Sequence, residues 1–494
     1  MARKPKVIDI PSIGQINRNQ GNLVNQLIQN IRNAVQRQDL QPGELLPSSR
    51  LLAHSLGISR GTVTEAFEQL QAEGVLEMKP ASGTRVSSSL VLTPNSTSEP
   101  NVNLPQHDIV LENRAKDFAK VYEEFLPLPP VPFAISVPQG LALPEDTWRK
   151  LGNRIRARGP GAPSGYDAPQ GVKVLREAIA DYVRRSRSVR CNPEQVIITS
   201  GIQQALYICC QLFIEKNDQV WIEDPAYRGL TAILENTSLP NAVRIPVDAE
   251  GIQVDIGVKN APDARLAFVT PSHQYPLGMP MSMARRNALI NWAKKNHAWI
   301  VEDDYDSELR YTGQPFPSLQ GLDPSRVIYL GTFSKILFPS LRLGYAIVPA
   351  GLEKAFCGAR ILMDRHPPNA DQYVLAAFIR EGYLDRHIRR IRGVYADRRN
   401  QLIDMINKYI PKNLGWLQSG DQGMHIVLWL AQDIDDQIIT AKALAYGVAV
   451  RPISNTFSNE LKKPGLILGL GDFDTNDMLY AVKKLAQILC EQPH

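Results

Sequence analysis

The chain has 494 residues, 44% hydrophobic and 21% charged, with a formal net charge of +5; that length is too great for one ordinary core, so two or more domains are expected. No run approaches the roughly eighteen uncharged apolar residues of a membrane span. The basic start Met1-Ala2-Arg3-Lys4-Pro5-Lys6 is followed by too short an apolar stretch for a signal peptide, so a cytoplasmic protein is expected. Five cysteines, odd in number and without CxxC spacing, argue against a disulfide framework or a zinc site.

The first region, residues 21–86, reads as short helices with tight turns. Val24, Leu27, Ile28, Ile31 and Val35 recur at helical spacing until Pro42-Gly43 breaks the run. Leu52, Ala53 and Leu56 form one apolar stripe, Gly57 turns the chain, and Ser59 is placed to cap a second helix carrying Val63, Phe67 and Leu70. Two helices joined by a glycine turn make a helix-turn-helix, whose second helix would present Ser59, Arg60, Thr62 and Thr64 to a major groove. Val75 to Met78 and Thr84 to Val86 read as strands of a wing around Ala81-Ser82-Gly83. By pattern alone, a small helical domain for protein contacts fits about as well.

Residues 87–132 are rich in Ser, Asn and Pro, as in Leu92 to Pro100, and read as a linker containing one short charged helix from Arg114 to Phe125. From Phe133 onwards apolar strands alternate with amphipathic helices. The strands include Gln195 to Thr199, Gln219 to Glu223, Leu266 to Thr270, Ala298 to Glu302 and Val327 to Leu330. Short apolar strands separated by helices imply a mostly parallel sheet covered on both faces, whose ligands bind beyond the strands' C-terminal ends.

Those ends carry chemistry. Thr332-Phe333-Ser334-Lys335 offers a lysine followed by apolar residues, which favours a buried, reactive amine. Arg342, seven residues on, suits a phosphate. Glu302-Asp303-Asp304-Tyr305-Asp306 ends a strand in four carboxylates without His or Cys, fitting either a solvated acidic loop or a carboxylate facing a positively charged ring nitrogen, with Tyr305 reaching a ring hydroxyl. Ser200-Gly201 opens a helix and would offer free N–H groups to a phosphate. Tyr227 is placed either to stack on a ring or simply to pack.

Two sets of motifs carry a family resemblance. Leu46-Pro47-Ser48-Ser49-Arg50, Leu56 to Val63, Ala72-Glu73-Gly74-Val75 and Ser82-Gly83-Thr84 resemble the GntR-family winged helix. That likeness implies that Arg50, Ser59, Arg60, Thr62 and the wing residues Ser82, Gly83 and Thr84 face double-stranded DNA. Tyr166 to Gly171, Leu175-Arg176, Thr199 to Leu206, Pro271 to Gly278, Glu302 to Tyr305 and Thr332 to Lys335 resemble the fold-type-I aminotransferases. The whole chain is similar to MocR-type GntR regulators. The resemblance implies a winged helix-turn-helix over residues 1–86, a linker over 87–132, and over 133–494 an α/β domain of the pyridoxal-phosphate-dependent transferase fold with a small C-terminal α/β subdomain. It further implies pyridoxal 5'-phosphate bound as an imine to Lys335, with Asp303 on the pyridine nitrogen and Tyr305 on the ring oxygen. Ser200, Gly201, Gln203, Ser334 and Arg342 would hold the phosphate, Tyr227 would stack, and Tyr166 would reach the partner subunit's phosphate in a homodimer.

The sequence departs from aminotransferases at two places. His273-Gln274 occupy the loop where those enzymes usually have an Asn beside the ring oxygen, so His273 is expected there. Leu466 to Gly471 lacks their carboxylate-binding Arg; Arg451, and second to it Arg228, are the candidates for effector binding. The expectation is a homodimeric transcription regulator on an operator with two half-sites, sensing an amino acid, an amine or the cofactor itself, and capable at most of partial amino-group chemistry. A working aminotransferase with an accessory N-terminal module is the alternative.

Overall fold

The computed structural model describes residues 13–18, 21–79, 83–88, 111–135, 144–157, 165–236, 241–313, 316–418, 420–458, 460–471 and 473–491. The chain divides into two compact units, 1–110 and 111–494.

In the first unit three helices, Leu23–Gln36, Ser49–Leu56 and Arg60–Ala72, precede a hairpin of β1 (Leu76–Lys79) and β2 (Gly83–Val86). The expected apolar positions meet in one core: Leu27, Ile31, Leu52, Val63, Leu70 and Val86 are fully buried. Gly57 ends the second helix at φ +63°, a left-handed conformation that costs glycine little. Ser59 caps the third helix, its Oγ accepting from Thr62 N at 3.1 Å. The hairpin is antiparallel, with Leu76 opposite Val86 and Lys79 opposite Gly83.

The second unit opens with the helix Asn113–Glu124, which the sequence placed inside a linker. Arg228 ties this helix to the unit, donating to both carboxylate oxygens of Glu124 at 2.5 and 2.9 Å. The central sheet comprises β3 (Val196–Thr199), β4 (Gln219–Asp224), β5 (Asn241–Asp248), β6 (Gly251–Ile252), β7 (Leu266–Val269), β8 (Trp299–Asp304), β9 (Val327–Thr332) and β10 (Gly344–Ile347). Their order is β3-β10-β9-β8-β7-β4-β5-β6. The run from β9 through β8, β7 and β4 to β5 is parallel, while β10 lies antiparallel between β3 and β9. A smaller antiparallel sheet follows, with β11 (Gly415–Leu417), β12 (His425–Leu430), β13 (Arg451–Pro452) and β14 (Gly465–Gly469) in the order β11-β12-β14-β13. Among the described residues no helix is long and apolar enough to cross a membrane.

The topology brings Thr199, Asp224, Val269, Asp304 and Thr332 to one edge of the central sheet. A buried ion pair braces that edge. Arg187, at the end of the helix Lys173–Arg187, donates from Nε to Asp304 Oδ2 at 2.7 Å, and both side chains are 2% exposed. Its other nitrogens reach Phe316 O at 2.6 Å and Ser272 Oγ at 2.5 Å, and the Tyr329 hydroxyl donates to the same Asp304 oxygen. Removing one partner of such a pair strands the other charge in a dry interior. Asp304→Ala should therefore destabilise the second unit by about 3–5 kcal/mol, read from the shift of its denaturant transition. A transition that stays in place would show that the pair is not a brace.

Candidate DNA interface and cofactor site

The exposed start of the helix Arg60–Ala72 carries Arg60 and Thr64 at the surface, with Arg50 exposed on the preceding helix. Thr62 is half-buried and shares a hydrogen bond with Ser59, Oγ to Oγ1 at 2.9 Å. The Thr64 hydroxyl donates to Arg60 O at 3.0 Å, leaving its oxygen as an acceptor. Gly83 opens β2 at φ +86°, and a Cβ there would lie 3.0 Å from Leu45 Cδ1, so the hairpin calls for glycine. Thr84 is half-buried opposite Met78. Ser82 lies outside the described residues.

At the sheet edge of the second unit, Ser200 and Gly201 link β3 to the helix Ile202–Phe213, whose first N–H groups have no partners within the helix. Gly201 sits at φ +85°, and a Cβ there would come within 3.2 Å of the Arg342 guanidinium. Arg342, itself left-handed at φ +49°, donates to Ser200 O at 2.9 Å. Gln203 donates to Gly229 O at 2.8 Å. Gln203 Oε1 and Ser334 Oγ are buried without a hydrogen-bond partner among the described residues.

The acidic run of β8 separates by the alternation of the strand. Glu302, buried, accepts from Leu319 N and Gln320 N, both at 3.0 Å, and Asp304 holds Arg187. Asp303 points to the other face, where it lines a cleft with Glu223, Ala226, Tyr227 and Thr270. Its Oδ1 is buried and unmet, and burial, aided by the charge of Asp304, pushes its carboxyl up to about 8. Lys335 is brought down to about 8 by burial, against the opposing charges of Asp306 and Asp303. A buried acid and a buried amine are thus poised near neutrality on one side of the sheet edge.

Tyr305 faces His273, its hydroxyl 2.9 Å from Nδ1, and the same nitrogen lies 2.9 Å from Asp306 Oδ1. Gln274 turns away from this group: its amide nitrogen reaches Pro225 O, Tyr275 O and Glu223 Oε2, and its oxygen accepts from Leu277 N, so it shapes the loop and holds Glu223. Tyr275 stands between Tyr227 and Tyr305, edge-on to both, with ring centroids 5.7 and 5.9 Å away. Burial pushes the Tyr227 and Tyr275 hydroxyls up, and the charge of Arg451 on β13 works against that at both, which sets Arg451 beside the aromatic pair.

One expected residue lies elsewhere. Arg228 does not face the cleft: its guanidinium is spent on Glu124, on Glu235 at 2.8 Å and on Thr231 at 2.8 Å. Tyr166, expected at a partner subunit's phosphate, is 78% exposed and lies against Arg365 and His366. Three further residues of the site went unnoticed in the sequence. Glu223 is buried against Thr270, Tyr275 divides two aromatic rings, and His425 on β12 packs 5.5 Å from His273. Only Glu223, an acid at the end of an apolar strand, carried a sequence signal.

Comparison with known proteins agrees with this arrangement. The profile of the family described as aminotransferase class I and II matches residues 138–458, and that of the bacterial regulatory proteins of the gntR family matches residues 23–86. The probable rhizopine catabolism regulatory protein MocR of Rhizobium meliloti is 35% identical, over 93% of this chain and 92% of its own length. The pyridoxine biosynthesis transcriptional regulator PdxR of Corynebacterium glutamicum is 31% identical, over 93% and 94%. Among solved structures, kynurenine aminotransferase of Pyrococcus horikoshii, in complex with PMP, superposes with a TM-score of 0.67 at 27% identity, covering 77% of this chain and 95% of that one. LysN of Thermus thermophilus, complexed with a phosphopyridoxyl-leucine adduct, gives 0.70 at 25%, over 77% and 97%. The chain therefore belongs to the gntR-family regulators of MocR type, DNA-binding transcriptional regulators that join a helix-turn-helix domain to an aminotransferase class I and II domain and take pyridoxal phosphate as cofactor.

Proposed function

We propose that this regulator senses an amino acid, an amine or pyridoxal phosphate itself in the cleft of its second unit, and that occupancy biases its affinity for DNA. The observation that carries the reading is the set of buried polar atoms left unmet there, Asp303 Oδ1, Ser334 Oγ and Gln203 Oε1, on the same sheet edge as Lys335. Buried polar groups are seldom left unpaired unless something else meets them. These residues fit pyridoxal phosphate: Asp303 a ring nitrogen, Ser334 and Gln203 the phosphate together with Ser200, Gly201 and Arg342, Tyr227 the ring face, Tyr305 the ring oxygen.

When bound, pyridoxal phosphate supplies an aldehyde carbon that condenses reversibly with amines and a ring that withdraws electrons. The chain's residues do the rest. Lys335, buried and under the charge of Asp306 and Asp303, would hold the cofactor through its amine. Arg451 is placed to pair with a carboxylate on that amine, which favours an amino acid over a simple amine. The Corynebacterium relative, a pyridoxine biosynthesis transcriptional regulator, supports the version in which the cofactor is the signal. DNA affinity changes only by the ligand's preference for one arrangement over another. We further propose a cytoplasmic homodimer on two operator half-sites, with Tyr166 reaching the partner's cleft; sedimentation of the holo-protein as a monomer would overturn this part.

Two substitutions separate the halves of the reading. Lys335→Ala should abolish fixation of the cofactor to the chain by borohydride, while Arg60→Ala leaves fixation intact and removes selective operator binding. Cofactor still fixed in Lys335→Ala would mean that another amine carries it. Arg451→Ala should raise the amino-acid concentration needed for a spectral response by about 10- to 100-fold, the loss of one charge-assisted contact; an unchanged midpoint would move the carboxylate site elsewhere.

Asp303 gives a pH test. Its carboxyl lies above the unfolded carboxylate range, at about 8. The folded apo-protein therefore binds more protons than the unfolded chain between the two values, and stability falls as pH rises through that window. Asp303→Asn removes this slope: the apo-variant should melt higher than wild type at pH 8 and no higher at pH 4, while binding the cofactor more weakly. Equal melting temperatures at both pH values would show that Asp303 is not strained by burial.

A further inference from the structure

His273 is 4% and Asp306 1% exposed. The imidazole sits in a slot made by two glycines. A Cβ on Gly423 would lie 2.0 Å from His273 Cε1, and one on Gly278 would lie 3.0 Å from Nε2; both glycines are left-handed, at φ +89° and +86°. With Nδ1 2.9 and 3.0 Å from the two oxygens of Asp306 and 2.9 Å from the Tyr305 hydroxyl, the ring has one orientation that serves all three groups. A carboxylate only accepts, so Nδ1 carries its proton and shares it between Asp306 and the Tyr305 oxygen. The Tyr305 proton is then free to point elsewhere.

We propose that Asp306 and His273 are a positioning pair for the ring-oxygen side of the cofactor: they hold the Tyr305 oxygen as an acceptor and turn its proton onto the cofactor's ring oxygen. This rests on the reading that Lys335 carries the cofactor.

The groups around the pair are consistent with one controlling charge. Asp306 is the foremost charge acting on Lys335, Tyr305 and Tyr311, in each case after burial. Asp303 and Glu223 add negative charge at Tyr305, while Arg342 opposes at Lys335. On the small sheet, His425 is brought down to about 4 by burial and by the charge of His273, and its Nε2 donates to Pro276 O at 2.9 Å. It is therefore neutral and does not compete for Asp306. Tyr275 completes the ring of groups.

The test is a pH titration of the cofactor absorbance in the full-length holo-protein. Asp306→Asn should move the midpoint for loss of the linkage proton by roughly 1 pH unit, and Asp306→Glu should restore most of it. His273→Gln should shift the absorbance in wild type and not in a Tyr305→Phe background, because the imidazole acts through that hydroxyl. If Asp306→Asn does not fold, the His273→Gln pair still decides. An unmoved midpoint in Asp306→Asn, or equal His273→Gln shifts in both backgrounds, overturns the proposal. A wild-type protein whose cofactor cannot be fixed by borohydride overturns the reading beneath it instead.

Discussion

The second unit is organised around a carboxylate that it cannot satisfy by itself. Burying a charged group costs several kcal/mol unless it is paired and hydrogen-bonded, yet Asp303 is held with one oxygen unmet and a second carboxylate, Asp304, as its sequence neighbour. The surrounding structure does not relieve this; it removes the competing solutions. Arg187 is committed to Asp304, the backbone amides of the helix Leu319–Leu322 to Glu302, and His273 to Asp306. Among the described residues every carboxylate of the run has a protein partner except the one facing the cleft, although Asp304 too keeps one buried oxygen, Oδ1, unmet. A cationic ring nitrogen is the kind of group that would relieve it, so cofactor binding and local strain are two descriptions of one arrangement.

That division follows from strand geometry. Glu302 and Asp304 share one face of β8 and Asp303 takes the other, because successive side chains of a strand alternate. A slip of one residue in the pairing of β8 with β9, where Asp303 lies opposite Leu330 and Asp304 opposite Gly331, would exchange the two roles. The buried pair of Arg187 with Asp304 therefore matters chiefly for register. Buried ion pairs add little net stability over apolar replacements, but this one fits a single alignment of β8 against the helix Lys173–Arg187.

The sequence made visible what is local. Lys335, Asp303 and Ser200-Gly201 lie at the C-terminal ends of apolar strands, which converge on one edge of a parallel sheet; Arg342 joins them because it precedes β10, the antiparallel strand. The helix-turn-helix was equally legible, since Gly57 and the Ser59 cap act within a few residues of themselves. Side-chain direction was not legible. Arg228 directly follows Tyr227, which lines the cleft, yet its side chain runs to Glu124, more than a hundred residues earlier in the chain. His425 and Tyr275 matter only through contacts between the two sheets or between neighbouring loops, and no spacing announces such contacts. Nor did the loop Pro271 to Gly278 announce which way Gln274 turns: its amide is committed to backbone groups and to Glu223.

Arg228 also shows why a half-exposed ion pair deserves weight for geometry and little for stability. An isolated surface pair contributes about 0–1 kcal/mol, and Arg228 and Glu124 are 28% and 37% exposed. The bidentate grip, however, sets the angle of the helix Asn113–Glu124 as well as its distance. None of that helix's residues is buried, so it has little apolar packing to hold it in place. Its orientation therefore depends on a residue flanked by Tyr227 on one side and by Gly229, the acceptor for Gln203, on the other. Three consecutive residues thus line the cleft, hold the leading helix of the unit and fix the Gln203 amide. A shift of that short segment cannot move one of these without the other two.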